Sequence, residues 1–280
     1  MIIDFHTHIF PPEIKNNRSR YVEQDPCFAV LYSDKKAKMA TAEELISSMD
    51  KAGIDKSVIL NIGWTTHEFC VETNNYILES ISRYPDRLIG FCSVQPLAFN
   101  AALEEVERCA AAGCKGVGEL RPDIQLFDLM DEQVAQPLVD IIRKHNLVLL
   151  THSSEPAGHD YPGKGACTPD MLYPFIATYP DIKTVCAHWG GGLPFYSLMP
   201  EVDKAMKNTY FDSAASPYLY RPEIYQHVSQ LVGAEKILLG SDFPLIEQKR
   251  ALKELEDAAL TREEKELIGS VNALKLLGIE

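Results

Sequence analysis

Six side chains in this sequence could bind or serve a divalent cation: His6, His8, Glu119, His152, His188 and Asp242. Each offers an imidazole nitrogen or a carboxylate oxygen, the ligand atoms that Zn²⁺ and similar ions take. His6 and His8 are separated by one residue. On a β-strand such a pair points to one side, so both rings could reach the same ion at about 2.0–2.1 Å. A His-x-His pair recurs by chance. It gains weight here because strand-end His, His and Asp follow it in order along the chain.

The elements that must position these residues can be read from the apolar pattern. Short β-rich runs alternate with amphipathic stretches from end to end. Strands are expected at 2–5, 56–62, 88–94, 116–120, 147–152, 183–188, 209–212 and 237–241. Most are near-continuous apolar runs, as strands covered on both faces should be. Helices are expected at 41–52, 100–112, 131–145, 168–179, 218–232 and 261–277. Two of them open on capping-box patterns, TAEE at Thr41 and TREE at Thr261. Gly53 ends the first of these, and Gly113 ends the helix at 100–112, in the manner of helix C-termini.

Eight strands separated by helices predict parallel pairing through right-handed crossovers, and eight is the number that closes a barrel. The fold class is therefore α/β, a (β/α)8 TIM barrel in one domain over residues 1–280. A doubly wound open sheet is the alternative, but it usually carries a glycine-rich loop after its first strand. This chain has FHTHIFPP there. All strand C-termini of a parallel barrel share one face, so the six side chains should meet at that mouth, where barrel enzymes keep their active sites. Buried imidazoles and carboxylates are costly unless paired or bound to an ion. Residues 10–40 are polar, rich in Pro, Asn and Lys, and are expected as a loop over the mouth.

Composition narrows the partners. The net charge of −13 opposes association with nucleic acid or an anionic membrane. The seven cysteines are odd in number and irregularly spaced, which predicts free thiols in a reducing cytoplasm. The N-terminus lacks the basic-then-apolar pattern of a secretory signal, and no apolar run reaches the ~20 residues of a membrane span. A small-molecule substrate is expected, and a homo-oligomer is left open.

FHTH near the N-terminus, THS at 151–153, AHWGG at 187–191 and GSDFP at 240–244 together resemble the amidohydrolase superfamily, in the branch that includes aminocarboxymuconate-semialdehyde decarboxylase. The resemblance runs over nearly the whole chain. It implies a distorted (β/α)8 barrel. By motif, His6 and His8 resemble the first ligand pair, His152 the third nitrogen, and Asp242 the carboxylate that binds metal and takes the proton of bound water. His188 matches a position that ligates a second ion or transfers protons. Glu119, in GVGEL, stands where many members carry a carboxylated lysine and others a bridging glutamate, so one or two ions are expected. Zinc is the first expectation, and Mn, Fe or Co fit the same donors.

The resemblance implies a hydrolase that activates metal-bound water to cleave an amide, ester or lactone, with Asp242 and His188 catalytic. The alternative is a non-oxidative decarboxylase using the same metal. Arg121 could hold a substrate carboxylate or pair with Asp123, and Trp64, His67 and Trp189 are candidate pocket walls. Asp4 shares the strand parity of His6 and His8 and is expected on their side.

Overall fold

A computed structural model describes residues 1–279. Eight strands form one sheet in sequence order: β1 (Ile3–His8), β2 (Lys56–Leu60), β3 (Leu88–Cys92), β4 (Gly116–Leu120), β5 (Val148–Thr151), β6 (Lys183–Cys186), β7 (Thr209–Asp212) and β8 (Ile237–Leu238). Every adjacent pair is parallel. The ring closes between β8 and β1, where Phe5 N–H donates to Leu239 O at 2.7 Å and Asp242 N–H to His6 O at 2.9 Å. The chain is a (β/α)8 barrel.

The sequence dictates this closure through burial on both faces. Ile3, Phe5, Val58, Leu60, Phe91 and Val148 belong to one apolar cluster, completed by Ala273, Leu276 and Leu277 of the last helix. Ile59, Val117 and Leu149 pack instead with helical residues such as Leu45, Met49 and Ile77. The alternation is that of strands with one row facing inward and one facing the helices. The helix Ala42–Ala52 starts with the expected capping box at Thr41, and Gly53 ends it at φ +75°. Thr261 caps Arg262–Glu266 in the same way.

The structure departs from the expected elements in four places. Residues 10–40 are not an irregular loop. Pro12–Asn16, Arg18–Gln24 and Pro26–Tyr32 are helices, packed through Phe10, Ile14, Tyr21 and Phe28 against Trp64 and Cys70. Of the polar residues that suggested a loop, Glu13, Asn16, Asn17 and Arg20 are exposed on or beside these short helices, while Asp34, Lys35 and Lys36 follow them. The 17-residue helix His67–Arg83 was not expected, nor was Gln248–Asp257. The helix expected over 218–232 is broken. Pro222 follows a short turn at Ser216–Leu219, and the helix proper is Ile224–Val232.

Asp4 also breaks the expected parity. The β1–β2 register shifts between Asp4 and Thr7. Asp4 accepts from Ser241 N–H at 2.9 Å, Ser241 Oγ at 2.6 Å and Gln248 Nε2 at 2.8 Å. It fastens β1 to the chain after β8 rather than facing the histidines' ligand nitrogens. All seven cysteines are buried and free. Among the described residues no helix is long and apolar enough to cross a membrane.

Candidate metal centre

Strand β1 carries both His6 and His8 to the barrel mouth, where the two rings turn toward each other. His6 Nε2 lies 3.0 Å from His8 Nε2, and His8 Nε2 is 3.2 Å from Asp242 Oδ1 and 3.8 Å from Glu119 Oε2. Two nitrogen ligands each about 2.1 Å from one ion stand roughly 3.0–3.4 Å apart, depending on the angle between them. His6 Nδ1–H donates to the Asp212 carboxylate at 2.9 Å, which turns Nε2 toward the other donors. His6 Nε2, Asp242 Oδ1 and Glu119 Oε2 thus crowd around His8 Nε2. His8 Nδ1 is buried without a partner. This close group of imidazole nitrogens and carboxylate oxygens fits a divalent cation.

A second group shares Glu119. His152 Nδ1–H donates to Glu119 Oε1 at 2.8 Å, and His188 Nε2 is 3.5 Å from the same oxygen. The structure thus joins all six expected residues through Glu119 but divides them. His6 and His8 form one donor group with Glu119, while His152 and His188 form the other. Asp242 stands beside the first.

Local backbone places these groups. A Cβ on Gly118 would lie 2.4 Å from Leu150 O, at a φ of +149°, so only glycine allows β4 to run this close to β5 immediately before Glu119. His188 and Asp242 sit in the left-handed region at φ +54° and +65°. For non-glycine residues that costs of order 1–3 kcal/mol and persists where surrounding contacts fix it. Here His188 N–H donates to Asp212 Oδ1 at 2.9 Å and His188 Nδ1–H to Ala214 O at 3.1 Å.

Electrostatics follow from mutual proximity. Burial opposes charge on His6, but Asp212, with Glu119 and Asp242 behind it, raises its pKa to about 10, so this corner of the centre draws positive charge, which either a proton or a cation at Nε2 would supply. Burial, reinforced by the nearby Arg121 cation, lowers that of His152 to about 4. Burial works against the Glu119 carboxylate, yet the surrounding imidazoles, His152 foremost, hold it well below the usual range. Asp242 is likewise lowered against burial, chiefly by its hydrogen bond with His8. His188 is raised against burial by its hydrogen bond to Glu119.

The two groups open onto a cavity of about 560 Å³. Leu31, Ile62, Leu219 and Leu245 form apolar walls, and Tyr32, Tyr161 and Tyr218 add aromatic ones. Arg121 lines it while its Nε and Nη2 donate to Asp123 at 3.3 and 3.1 Å. The mouth position and the ion pair, posed as alternatives by the sequence, therefore hold together. Lys36 and Lys38 reach the same cavity from the chain after the N-terminal helices.

Three expected pocket walls are elsewhere. Trp64 is fully buried and stacks on Phe28, centroids 5.3 Å apart, beneath the N-terminal helices. His67 begins the helix His67–Arg83 and does not line the cavity. Trp189 is buried against Tyr225 at 4.9 Å, and its indole N–H donates to Ser216 Oγ. Sequence reasoning missed Asp212, which ends β7 just as the other site residues end their strands, and that position was the available signal. It also missed Ser154, whose Oγ lies 3.1 Å from His152 Nε2.

The amidohydrolase family model matches residues 3–279. The chain belongs to the amidohydrolase family. It is 22% identical to 2-amino-3-carboxymuconate-6-semialdehyde decarboxylase of Dictyostelium discoideum, an alignment covering 99% of this chain and 92% of that protein. It superposes on 5-carboxyvanillate decarboxylase of Novosphingobium aromaticivorans, solved with manganese and 4-hydroxy-3-methoxy-5-nitrobenzoic acid. There the TM-score is 0.82 at 17% identity, covering 100% of this chain and 96% of that one. 2,6-Dihydroxybenzoate decarboxylase with bound 2,6-dihydroxybenzoate gives a TM-score of 0.76 at 18% identity, covering 99% of each chain.

These comparisons overturn hydrolysis as the leading expectation. These three relatives are decarboxylases, which was the alternative reading. The hydrolase expectation came from what the wider superfamily does with metal-bound water. The ligand motifs could not separate the two reactions, because both use the same donors.

Proposed function

We propose that this amidohydrolase-family enzyme is a metal-dependent, non-oxidative decarboxylase of a small aromatic or enoic carboxylic acid. The carrying observation is the convergence of His8, Glu119 and Asp242, with His6 buried behind them, on a cavity that Arg121 also lines. The decarboxylase relatives support the same reading. The reaction exchanges carbon dioxide for one proton: the bond between the carboxylate and the substrate carbon bearing it breaks, its electron pair stays on that substrate carbon, and the proton adds there.

His6, His8 and Asp242, with Glu119, would hold one divalent cation, either Mn²⁺ or Zn²⁺, since N/O donors accept both. Bound there, the cation supplies positive charge that draws in substrate oxygens and offsets charge developing beside them. Arg121 keeps its Nη1 outside the pair with Asp123 and binds an anionic group of the substrate. His188, whose protonated form Glu119 favours, lines the same cavity and delivers the proton to carbon. His152 is held neutral by burial and by Arg121 and serves to orient Glu119. Leu31, Ile62, Leu219 and Leu245 limit the water available for competing chemistry.

The test is a panel of hydroxybenzoic and enoic acids, assayed for carbon dioxide with the Mn²⁺-loaded enzyme in D₂O. Release of carbon dioxide with one deuterium fixed at the vacated carbon, abolished by chelator, is the expected result. Turnover of esters, amides or lactones with no carbon dioxide from any acid would refute the proposal.

A further inference from the structure

Asp212 makes three hydrogen bonds from a fully buried position, and they reach both donor groups of the centre. Its Oδ2 accepts from His6 Nδ1–H at 2.9 Å. Its Oδ1 accepts from the backbone N–H of His188 at 2.9 Å and of Ala214 at 3.0 Å. Ala214 in turn presents its carbonyl to His188 Nδ1–H at 3.1 Å. One carboxylate, with the turn it holds, therefore sets the orientation of two imidazoles. For His6 the link is direct. For His188 it runs through the left-handed backbone at φ +54° and through the Ala214 carbonyl.

We infer that Asp212 is a positioning residue that fixes His6 as the Nδ1–H tautomer, so that Nε2 presents a lone pair to the cation, and at the same time fixes His188 with Nε2 toward Glu119. An ionised carboxylate can only accept, so the proton between Asp212 and His6 belongs to Nδ1. A neutral imidazole with Nδ1–H has its remaining lone pair on Nε2, the atom 3.0 Å from His8 Nε2. Partners of this kind orient metal-binding histidines and raise their basicity, and losing one typically weakens the metal 10–100-fold. The two Asp212 oxygens divide the work, which makes the roles separable. This inference rests on the reading that His6 ligates a cation.

Asp212→Asn, built with its carbonyl in the place of Oδ1, keeps an acceptor for the His188 and Ala214 N–H groups. It puts an NH₂ donor against His6 Nδ1, which favours the Nε2–H tautomer and turns an N–H toward the ion. Mn²⁺ affinity, read from the free-ion EPR signal, should fall about 10–100-fold in Asp212→Asn, with unfolding temperature close to wild type. Asp212→Ala should weaken Mn²⁺ similarly and lower the unfolding temperature as well. Mn²⁺ affinity in Asp212→Asn within about twofold of wild type would overturn the inference, since a merely structural role leaves it unmoved.

If that variant does not fold, the wild type answers directly. Imidazole ¹⁵N spectra of the Zn²⁺-loaded protein should show His6 with its proton on Nδ1, and a proton on Nε2 would overturn the inference. Failure of the wild type to bind either ion would instead remove the underlying reading of the centre, an outcome distinct from equal binding by wild type and variant.

Discussion

His6 and His8 face each other at 3.0 Å, with the Asp242 and Glu119 carboxylates 3.2 and 3.8 Å from His8, and this residue-scale geometry is what a bound cation would explain. Replacing either by Ala should remove a ligand and weaken Mn²⁺ by at least the 10–100-fold seen for lost supporting residues, measured by EPR titration. Arg121→Ala should raise KM about 10–100-fold, the equivalent of one charged hydrogen bond of about 1.5–3 kcal/mol, while Mn²⁺ affinity stays near wild type. An unchanged KM would remove Arg121 from the substrate's path. The six donors were legible because they sit at strand ends in a motif order. Asp212 was not, because its His6 partner lies 206 residues away and nothing near FDS marks the pairing. Trp64 was misplaced because an aromatic residue after a strand suits a pocket wall and a buried stack equally. What decides is Phe28, in a segment whose helices the sequence hid.

At the scale of elements, the capping boxes at Thr41 and Thr261 were plain in the sequence and are formed. Thr41→Ala should cost about 1 kcal/mol of stability, measured by denaturant unfolding. The helix His67–Arg83 was hidden because Thr73, Asn74 and Asn75 interrupt its apolar rhythm. Asn75 is exposed, while Thr73 and Asn74 are buried with partners: Thr73 Oγ1 donates to Phe69 O at 2.8 Å. Asn74 Nδ2 donates to Ser93 O at 2.8 Å and to Glu105 Oε1 at 2.7 Å.

Glu105, on the helix Asn100–Ala111, also accepts from Arg108 Nε and Nη2 at 2.8 and 2.7 Å. Burial works against its charge, but Arg108 and Asn74 hold its pKa below the ordinary value. A carboxylate depressed in the folded state contributes stability fully above its unfolded pKa of about 4.3 and loses it as pH falls through the folded value. Unfolding free energy should therefore decline more steeply below about pH 4 in wild type than in Glu105→Gln. Parallel curves would show that Glu105 is not the group being titrated.

Across the whole molecule, the order of eight parallel strands and the single mouth were legible from apolar runs alone. The reaction was not, because the same motif residues suit the hydrolase and the decarboxylase reading alike. Only the folded state assembles them from β1, β4, β5 and the chain after β6 and β8, so a bound ion should stabilise the fold. At a Mn²⁺ concentration 100 times its Kd the gain is about 2.7 kcal/mol. For a chain of 280 residues that raises Tm by roughly 5 °C, and chelator should reverse it. A Tm indifferent to Mn²⁺, Zn²⁺ and chelator would mean that no ion links these strands.

The most direct measurement is pulsed EPR on the Mn²⁺-loaded protein, which detects imidazole nitrogens bound to the ion. Wild type should show couplings from two histidine nitrogens of β1, and His8→Ala should lose one of them. Bound Mn²⁺ with no histidine coupling, or couplings indifferent to the loss of His8, would contradict the centre described here.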